Sequence, residues 1–149
     1  MSAGKDIGFL LQHLTFVLGR HSDKVLQEQL GIGFSQFKIL MILNWHPNIR
    51  QKQIAERLGQ TEASISRQIK LMSQVGLLQS TVHPLKKREH VTRLTHKGER
   101  VIDHALAILN RYHAPMFNTL SSKELDKLQE YLSRLHGQAC PNSHMCMNE

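Results

Sequence analysis

Apolar residues recur every three or four positions over most of the chain, which is the spacing of one buried helix face. The first such stretch covers about residues 6–30 and ends at the Gly-Ile-Gly segment 31–33. A second stretch begins near Ser35, which we expect to cap it, and stops before His46-Pro47 because the residue before a proline avoids helix. Its almost wholly apolar composition predicts a central helix, and residues 48–50 then favour a very short strand.

Residues 51–75, QKQIAERLGQTEASISRQIKLMSQV, have the pattern of two short helices separated at Gly59. Glycine takes the left-handed turn that other residues resist, and Thr61 is suited to cap the second helix. Such a pair is typical of a helix-turn-helix, although ordinary helical hairpins look similar. The second helix has an apolar stripe of Ile65, Ile69 and Met72, which leaves Ser64, Ser66, Arg67 and Lys70 off the stripe.

Two β-rich runs, residues 77–82 and 91–95, follow directly after Gly76 and flank a polar, basic segment. This pattern predicts a hairpin, and a helix-turn-helix followed by a hairpin is a winged helix. The predicted tip carries Lys86, Lys87 and Arg88, which are suited to contact phosphates or a narrow minor groove. The plainer alternative is a basic tip that only keeps the protein in solution.

Helical periodicity returns from residue 95, and we expect Pro115 to kink or end that helix. Ser121 followed by Glu124 is a capping box for a last helix. The apolar stripe of that helix is Leu125, Leu128, Leu132 and Leu135. Residues 138–149 lack periodicity, and we expect a disordered tail there.

Charge is concentrated in the predicted winged helix. Residues 50–97 carry ten Lys/Arg and three Asp/Glu, which is the whole net charge of +7, while the other charges cancel. This distribution favours a polyanion-binding module, with solvated surface charge as the alternative. No apolar run is long enough to span a membrane. Both cysteines lie near the chain end, which fits a reducing compartment, so we expect a cytoplasmic protein without a cofactor.

Enzyme signatures are missing: the sequence has no nucleophile elbow, phosphate loop or pair of carboxylates in an apolar run. Its ten histidines are scattered, and no two are spaced i, i+4 on one helix. Cys140, His144 and Cys146 remain weak candidates for a metal site or for oxidant sensing through a disulfide. Idle thiols in a mobile tail are the favoured interpretation. A winged helix that binds protein is the other alternative to DNA binding.

The order of the elements resembles the MarR family of transcription regulators, most strongly over residues 51–99. The resemblance implies a mainly α fold with a small β-wing, in the α+β class. Residues 35–97 would form the winged helix-turn-helix DNA-binding domain, and residues 1–34 and 98–137 a helical dimerisation region. It further implies a homodimeric regulator, by family tendency a repressor, that binds a pseudo-palindromic operator. Release would follow a small-molecule or stress signal.

Site residues follow from the resemblance position by position. Ser64, Ser66 and Arg67 match base- and backbone-facing positions, Thr61 matches the start of the recognition helix, and Arg88 matches the wing arginine. The family usually has an aspartate two residues before that arginine, where this chain has Lys86. We therefore expect a less firmly held wing with more affinity for phosphate. Many relatives respond to small aromatic acids, which implies an aromatic or phenolic effector in a pocket lined by His13, Phe16, Arg20 and Trp45.

Overall fold

The computed structural model describes residues 3–86, 88 and 90–140, and these form six helices and one hairpin. The prediction of a mainly α fold with a small β-wing is confirmed. The elements in chain order are α1 Ala3–Leu30, α2 Phe34–Trp45, α3 Gln51–Leu58, α4 Glu62–Gln74, β1 Leu78–Val82, β2 His90–Leu94, α5 His96–Phe117 and α6 Ser122–Ala139. None of the helices in the described ranges is long and apolar enough to cross a membrane.

The start of α2 differs from the sequence expectation. The helix begins at Phe34, whose backbone N–H donates to Asp23 Oδ1 at 2.9 Å, and Gly33 N donates to Gln36 Oε1 at 3.1 Å. These side-chain oxygens accept from backbone N–H groups that have no partner within the helix. The prediction that Ser35 caps α2 is therefore wrong, and the Ser35 hydroxyl accepts a hydrogen bond from Gln60 instead.

The sheet is an antiparallel pair with Leu78 opposite Leu94 and Val82 opposite His90. Within the described ranges it contains β1 and β2 alone, so the short strand expected at residues 48–50 is wrong. The segment is a turn, because Ile49 N donates to the carbonyl of His46 at 3.1 Å. Ile49 is buried there without any strand pairing.

One continuous apolar core joins the winged helix to α1 and α5. The α2 helix lies at its centre, as its composition predicts, and supplies the fully buried Ile39, Leu40 and Ile42. Burial of each such side chain stabilises the fold by about 1.5–3 kcal/mol. Because Val25 and Ile102 belong to the same core, the recognition helix rests on a base that includes the long helices.

The other parts of the long helices are not covered by the fold. No residue of α6 is buried, and Leu128, Leu132 and Leu135 of its predicted stripe are exposed. The capping box at Ser121 and Glu124 is confirmed, with Glu124 Oε2 accepting from Ser121 N at 2.8 Å. Pro115 lies in the last turn of α5, which ends two residues later at Phe117. The sides of α1, α5 and α6 that face away from the core thus present apolar side chains to solvent.

Candidate nucleic-acid interface

The α4 helix has a buried and an exposed face, as its periodicity predicts. Ile65, Ile69 and Met72 lie in the core. Thr61 is the N-cap, and its hydroxyl accepts from Ser64 N at 3.1 Å. The candidate contact residues on the solvent side of α4 are Ser66, Arg67 and Lys70, and all three are exposed. The helix therefore presents a hydroxyl and two cations away from the core.

A polar network at the turn between α3 and α4 was missed in the sequence. Gln60 Nε2 donates to Ser35 Oγ at 2.7 Å, which ties the turn to α2. Gln60 Oε1 accepts from Gln68 Nε2 at 2.8 Å and from Ser64 Oγ at 3.3 Å. Ser64 and Gln68 are four apart and share one side of α4, and Gln60 lies four residues before Ser64 in the turn; this spacing was the available signal. Ser64 is half-buried in the network, unlike its exposed neighbour Ser66.

A cleft of about 540 Å³ separates α4 from the wing. Ser66 and Lys70 line one side, and Ser80 of β1 lines the other. Gln51, the first residue of α3, also lines the cleft. Hydroxyls and an ammonium group in one cleft suit an anionic, hydrogen-bonding partner such as a sugar-phosphate backbone.

The wing tip extends into solvent, and both Lys86 and Arg88 are exposed. Lys87 lies outside the described residues. His83, a residue that the sequence argument passed over, contacts the backbone of this tip. Its Nδ1 accepts from the backbone N–H of Leu85 at 3.1 Å and of Lys86 at 3.2 Å.

A second groove, of about 370 Å³, lies between the wing and the turn after α2. Arg50, Lys86 and Arg93 line it and make it basic. Arg93 Nη2 also donates to Asn48 Oδ1 at 3.4 Å across the groove. Arg93 follows the buried Thr92 in β2, and the alternation along a strand was the signal that it faces outward. The basic surface is therefore wider than the predicted wing tip.

Hydrogen bonds join the end of α4, the base of the wing and the start of α5, and we call this the wing-base junction. The Thr95 hydroxyl donates to the Gly76 carbonyl at 2.5 Å and lies 3.1 Å from that of Leu77. Thr95 N donates to the Leu77 carbonyl at 3.2 Å, and Lys97 Nζ donates to the Val75 carbonyl at 2.6 Å. The carbonyls of residues 75–77, which follow α4, are thereby satisfied. The wing is fixed to both helices at its base.

The ends of α2 and α3 are joined by a side-chain contact. Arg57 Nη1 lies 2.9 Å from His46 Nε2, which accepts if the imidazole is neutral at that nitrogen. Burial lowers the pKa of His46, and the nearby Arg57 charge lowers it further. This contact holds α3 against the central helix, so α3 in turn supports α4.

The four candidate effector residues fall into two groups. The rings of His13 and Phe16 have centroids 6.5 Å apart, and Arg20 Cζ lies 5.8 Å from the Phe16 centroid. Phe16 is 59% exposed, so this row forms an outward surface of α1. Trp45, at the end of α2, is 40% exposed and is not among the ring contacts of the described residues.

The candidate metal or redox tail falls largely outside the described residues, because His144 and Cys146 lie beyond residue 140. Cys140 follows α6 and is disulfide-bonded. Across residues 3–86, 88 and 90–140, no group of three or more His, Cys, Asp or Glu side chains is placed to hold a metal ion.

Comparison with known proteins identifies the family. Residues 34–97, which span α2 through the wing, match the family model described as MarR family. The winged-helix part of the chain, residues 34–97, belongs to the MarR family. Members of this family are DNA-binding transcription regulators, which is the class of protein that the sequence predicts for this chain.

Individual relatives are distant in sequence and close in fold. The curated HTH-type transcriptional regulator BilQ of Clostridium symbiosum is 23% identical over 119 residues, which are 80% of this chain and 81% of BilQ. A MarR-family regulator from Rhodococcus sp. RHA1 has a TM-score of 0.78 at 21% identity, covering 95% of this chain and 98% of that one. CouR from Rhodococcus jostii RHA1, solved bound to p-coumaroyl-CoA, has a TM-score of 0.73 at 22% identity with the same coverage. The match to these structures extends beyond the winged helix to the long helices.

Proposed function

We propose that this chain is a dimeric MarR-family repressor that binds a pseudo-palindromic DNA operator and leaves it when a small molecule or stress signal arrives. The observation that carries the proposal is the shared exposure of two basic surfaces on one domain. Arg67 and Lys70 occupy the free face of α4, and Lys86 and Arg88 occupy the wing. Such a domain presents one element to the major groove and another to the adjacent groove.

The proposed contacts divide by chemistry. An arginine reads guanine through two hydrogen bonds to its O6 and N7, and a good pair of this kind contributes about 1–3 kcal/mol of discrimination. Arg67 and Ser66 are the residues to which we assign base reading. Lys70, Lys86, Lys87 and Arg88 neutralise phosphates, which provides affinity without sequence choice. Thr61 and Ser64 fix the start of the helix, and Ser64 reads DNA only if its hydroxyl leaves Gln60.

The dimer proposal is supported by the uncovered apolar faces of the helices outside the winged helix. Leu10 on α1 is 64% exposed, and Leu135 on α6 is 54% exposed. Extended apolar surface of this kind marks an interface in a soluble protein. We assign residues 1–34 and 98–137 to this dimerisation region and 35–97 to DNA binding. Two-fold symmetry then places the two half-sites about one helical turn of DNA apart.

For the effector we propose a small aromatic or phenolic acid. The row of His13, Phe16 and Arg20 offers aromatic faces beside a guanidinium group, which suits a planar ring that carries a carboxylate. Trp45 would complete the site as a second aromatic face. CouR, a protein of the same fold, was solved bound to p-coumaroyl-CoA, whose phenolic ring supports the aromatic part of this proposal.

The test begins with selection of DNA fragments from the source genome that the full-length protein binds. Affinity for a selected fragment and for random duplex is then compared in the parent, Arg67→Ala and Lys70→Ala. Lys24→Ala, which removes an exposed lysine from α1, is the matched control. We expect Arg67→Ala to lose about 10- to 100-fold on the selected fragment and much less on random DNA.

We expect Lys70→Ala to lose affinity for both duplexes and to reduce the salt slope by about one. The control should match the parent on both. A parent that binds no duplex even at low salt would refute the proposed function. Equal losses in Lys70→Ala and Lys24→Ala would refute the assignment of the interface to α4.

A further inference from the structure

We propose that His83 is the positioning residue of the wing tip, and that its ring holds the turn from which Lys86 and Arg88 reach DNA. This inference rests on the proposed function, since a wing position matters only if the wing binds. The geometry points to His83 because its Nδ1 accepts two backbone N–H groups, those of Leu85 and Lys86, at 3.1 and 3.2 Å.

The arrangement resembles the turns in which an Asn or Asp side chain accepts from the backbone two or three residues on. Pro84 lies inside the turn and has no N–H to donate, and it restricts His83 to extended backbone. The two N–H groups that follow the proline then converge on the His83 ring. A side-chain acceptor at this position thereby fixes the path of the chain toward the tip.

The contact also defines the chemical form of the imidazole. A ring nitrogen that accepts hydrogen bonds carries no proton, so the proton of the neutral ring must sit on Nε2. His83 is half-buried and lines the basic groove together with Arg50 and Arg93. The ring therefore lies between the end of β1 and the wing tip, next to Lys86.

Three substitutions of His83 distinguish the effect of the hydrogen-bond acceptor from the effect of the size of the ring. Asparagine carries its Oδ1 the same number of bonds from Cβ as histidine carries Nδ1, so His83→Asn keeps the acceptor. Glutamine moves the oxygen one bond further out, and alanine removes it. None of the three changes the count of lysines and arginines. His96→Asn is the matched control, because the His96 side chain is 94% exposed and contacts Glu99 rather than the wing tip.

Two readouts are measured with the full-length protein. The first is the ratio of affinities for a selected genomic fragment and for random duplex. We expect His83→Asn and His96→Asn to match the parent, and His83→Ala and His83→Gln to lose roughly tenfold in this ratio, the size expected for one or two net hydrogen bonds. The second is the ¹⁵N signature of the ring in the free protein near pH 8. There we expect an unprotonated Nδ1 and a protonated Nε2 on His83.

The outcomes distinguish the two proposals. A parent that binds neither duplex overturns the proposed function and, with it, the positioning role. A parent that binds, with all three His83 variants behaving alike, overturns the positioning role alone. A ring protonated at Nδ1 in the free protein also overturns it, because that nitrogen could not accept from the backbone.

Discussion

Gly98 lies buried in the first turn of α5, directly against the wing-base junction. A Cβ atom built there would come closer than 3.0 Å to the carbonyl oxygen of Leu77 and would lie 3.2 Å from Leu94 Cδ2. The Leu77 carbonyl cannot easily move aside, since it already accepts from Thr95 N at 3.2 Å. We therefore expect Gly98→Ala to force α5 away from the wing.

The magnitude follows from two opposing effects. Overpacking against a fixed neighbour costs about 1–3 kcal/mol, and a backbone obstruction belongs in the upper part of that range. Alanine recovers roughly 0.5–1 kcal/mol over glycine within a helix. The net destabilisation is then about 1–2 kcal/mol. For a chain of this size each kcal/mol lowers Tm by about 2–4 °C, so the expected fall is roughly 2–8 °C.

Thermal unfolding followed by circular dichroism at one fixed protein concentration measures this effect. Gly137→Ala is the matched control, because Gly137 is also helical and a Cβ there meets nothing within 4 Å. We expect the control to melt at or above the parent Tm. If Gly98→Ala melts within about 1 °C of the parent, α5 and the wing are not packed as tightly as the distances require, and the reasoning fails.

Three further measurements test other parts of the molecule. The double substitution Leu128→Glu/Leu132→Glu places charge on the exposed stripe of α6 and should yield monomers in sedimentation velocity; a stable dimer would contradict the proposed interface. The pKa of His113 is lowered from 6.5 by burial and by the neighbouring His21, so the unfolded chain binds more protons just below that pH. Stability should therefore fall as pH drops through 6.5, and His113→Asn should reduce the dependence of Tm on pH; an identical dependence counts against the burial of a neutral ring. Lys86→Asp should make the slope of log affinity against log salt shallower by about one, and an unchanged slope would remove Lys86 from the phosphate contacts.

Local sequence signals predicted most of the fold. Gly59 takes a φ of 62° and Thr61 caps α4, as residue type alone indicated. The cap of α2 could not be predicted in the same way, because its acceptor, Asp23, is eleven residues away from Phe34 and depends on how α1 packs. The expected strand at residues 48–50 was wrong because three residues are too few to show a reliable strand pattern. The segment instead forms a turn, in which Ile49 N donates to the His46 carbonyl.

In the candidate site, too, local features could be predicted from the sequence and contacts between distant residues could not. Periodicity placed Arg67 and Lys70 on the exposed face of α4, and the two β-rich runs after Gly76 predicted the wing. Periodicity cannot show which exposed polar groups already have partners. The hydroxyl of Ser64 is engaged by Gln60, and Arg93 reaches Asn48 across 45 residues of sequence. Both contacts exist only once the tertiary structure has formed.

The wing-base junction limits how this protein can change shape. Thr95 and Lys97 donate to the carbonyls of residues 75–77, directly after α4, so the recognition helix, the wing base and the start of α5 are held together. In the proposed dimer, any change in the spacing of the two recognition helices therefore has to be taken up outside this junction. Because α5 is 22 residues long, a small rotation near its far end becomes a larger displacement at the DNA surface. In the proposed dimer, an effector that tilts this helix slightly would bring both wings out of register with the double helix.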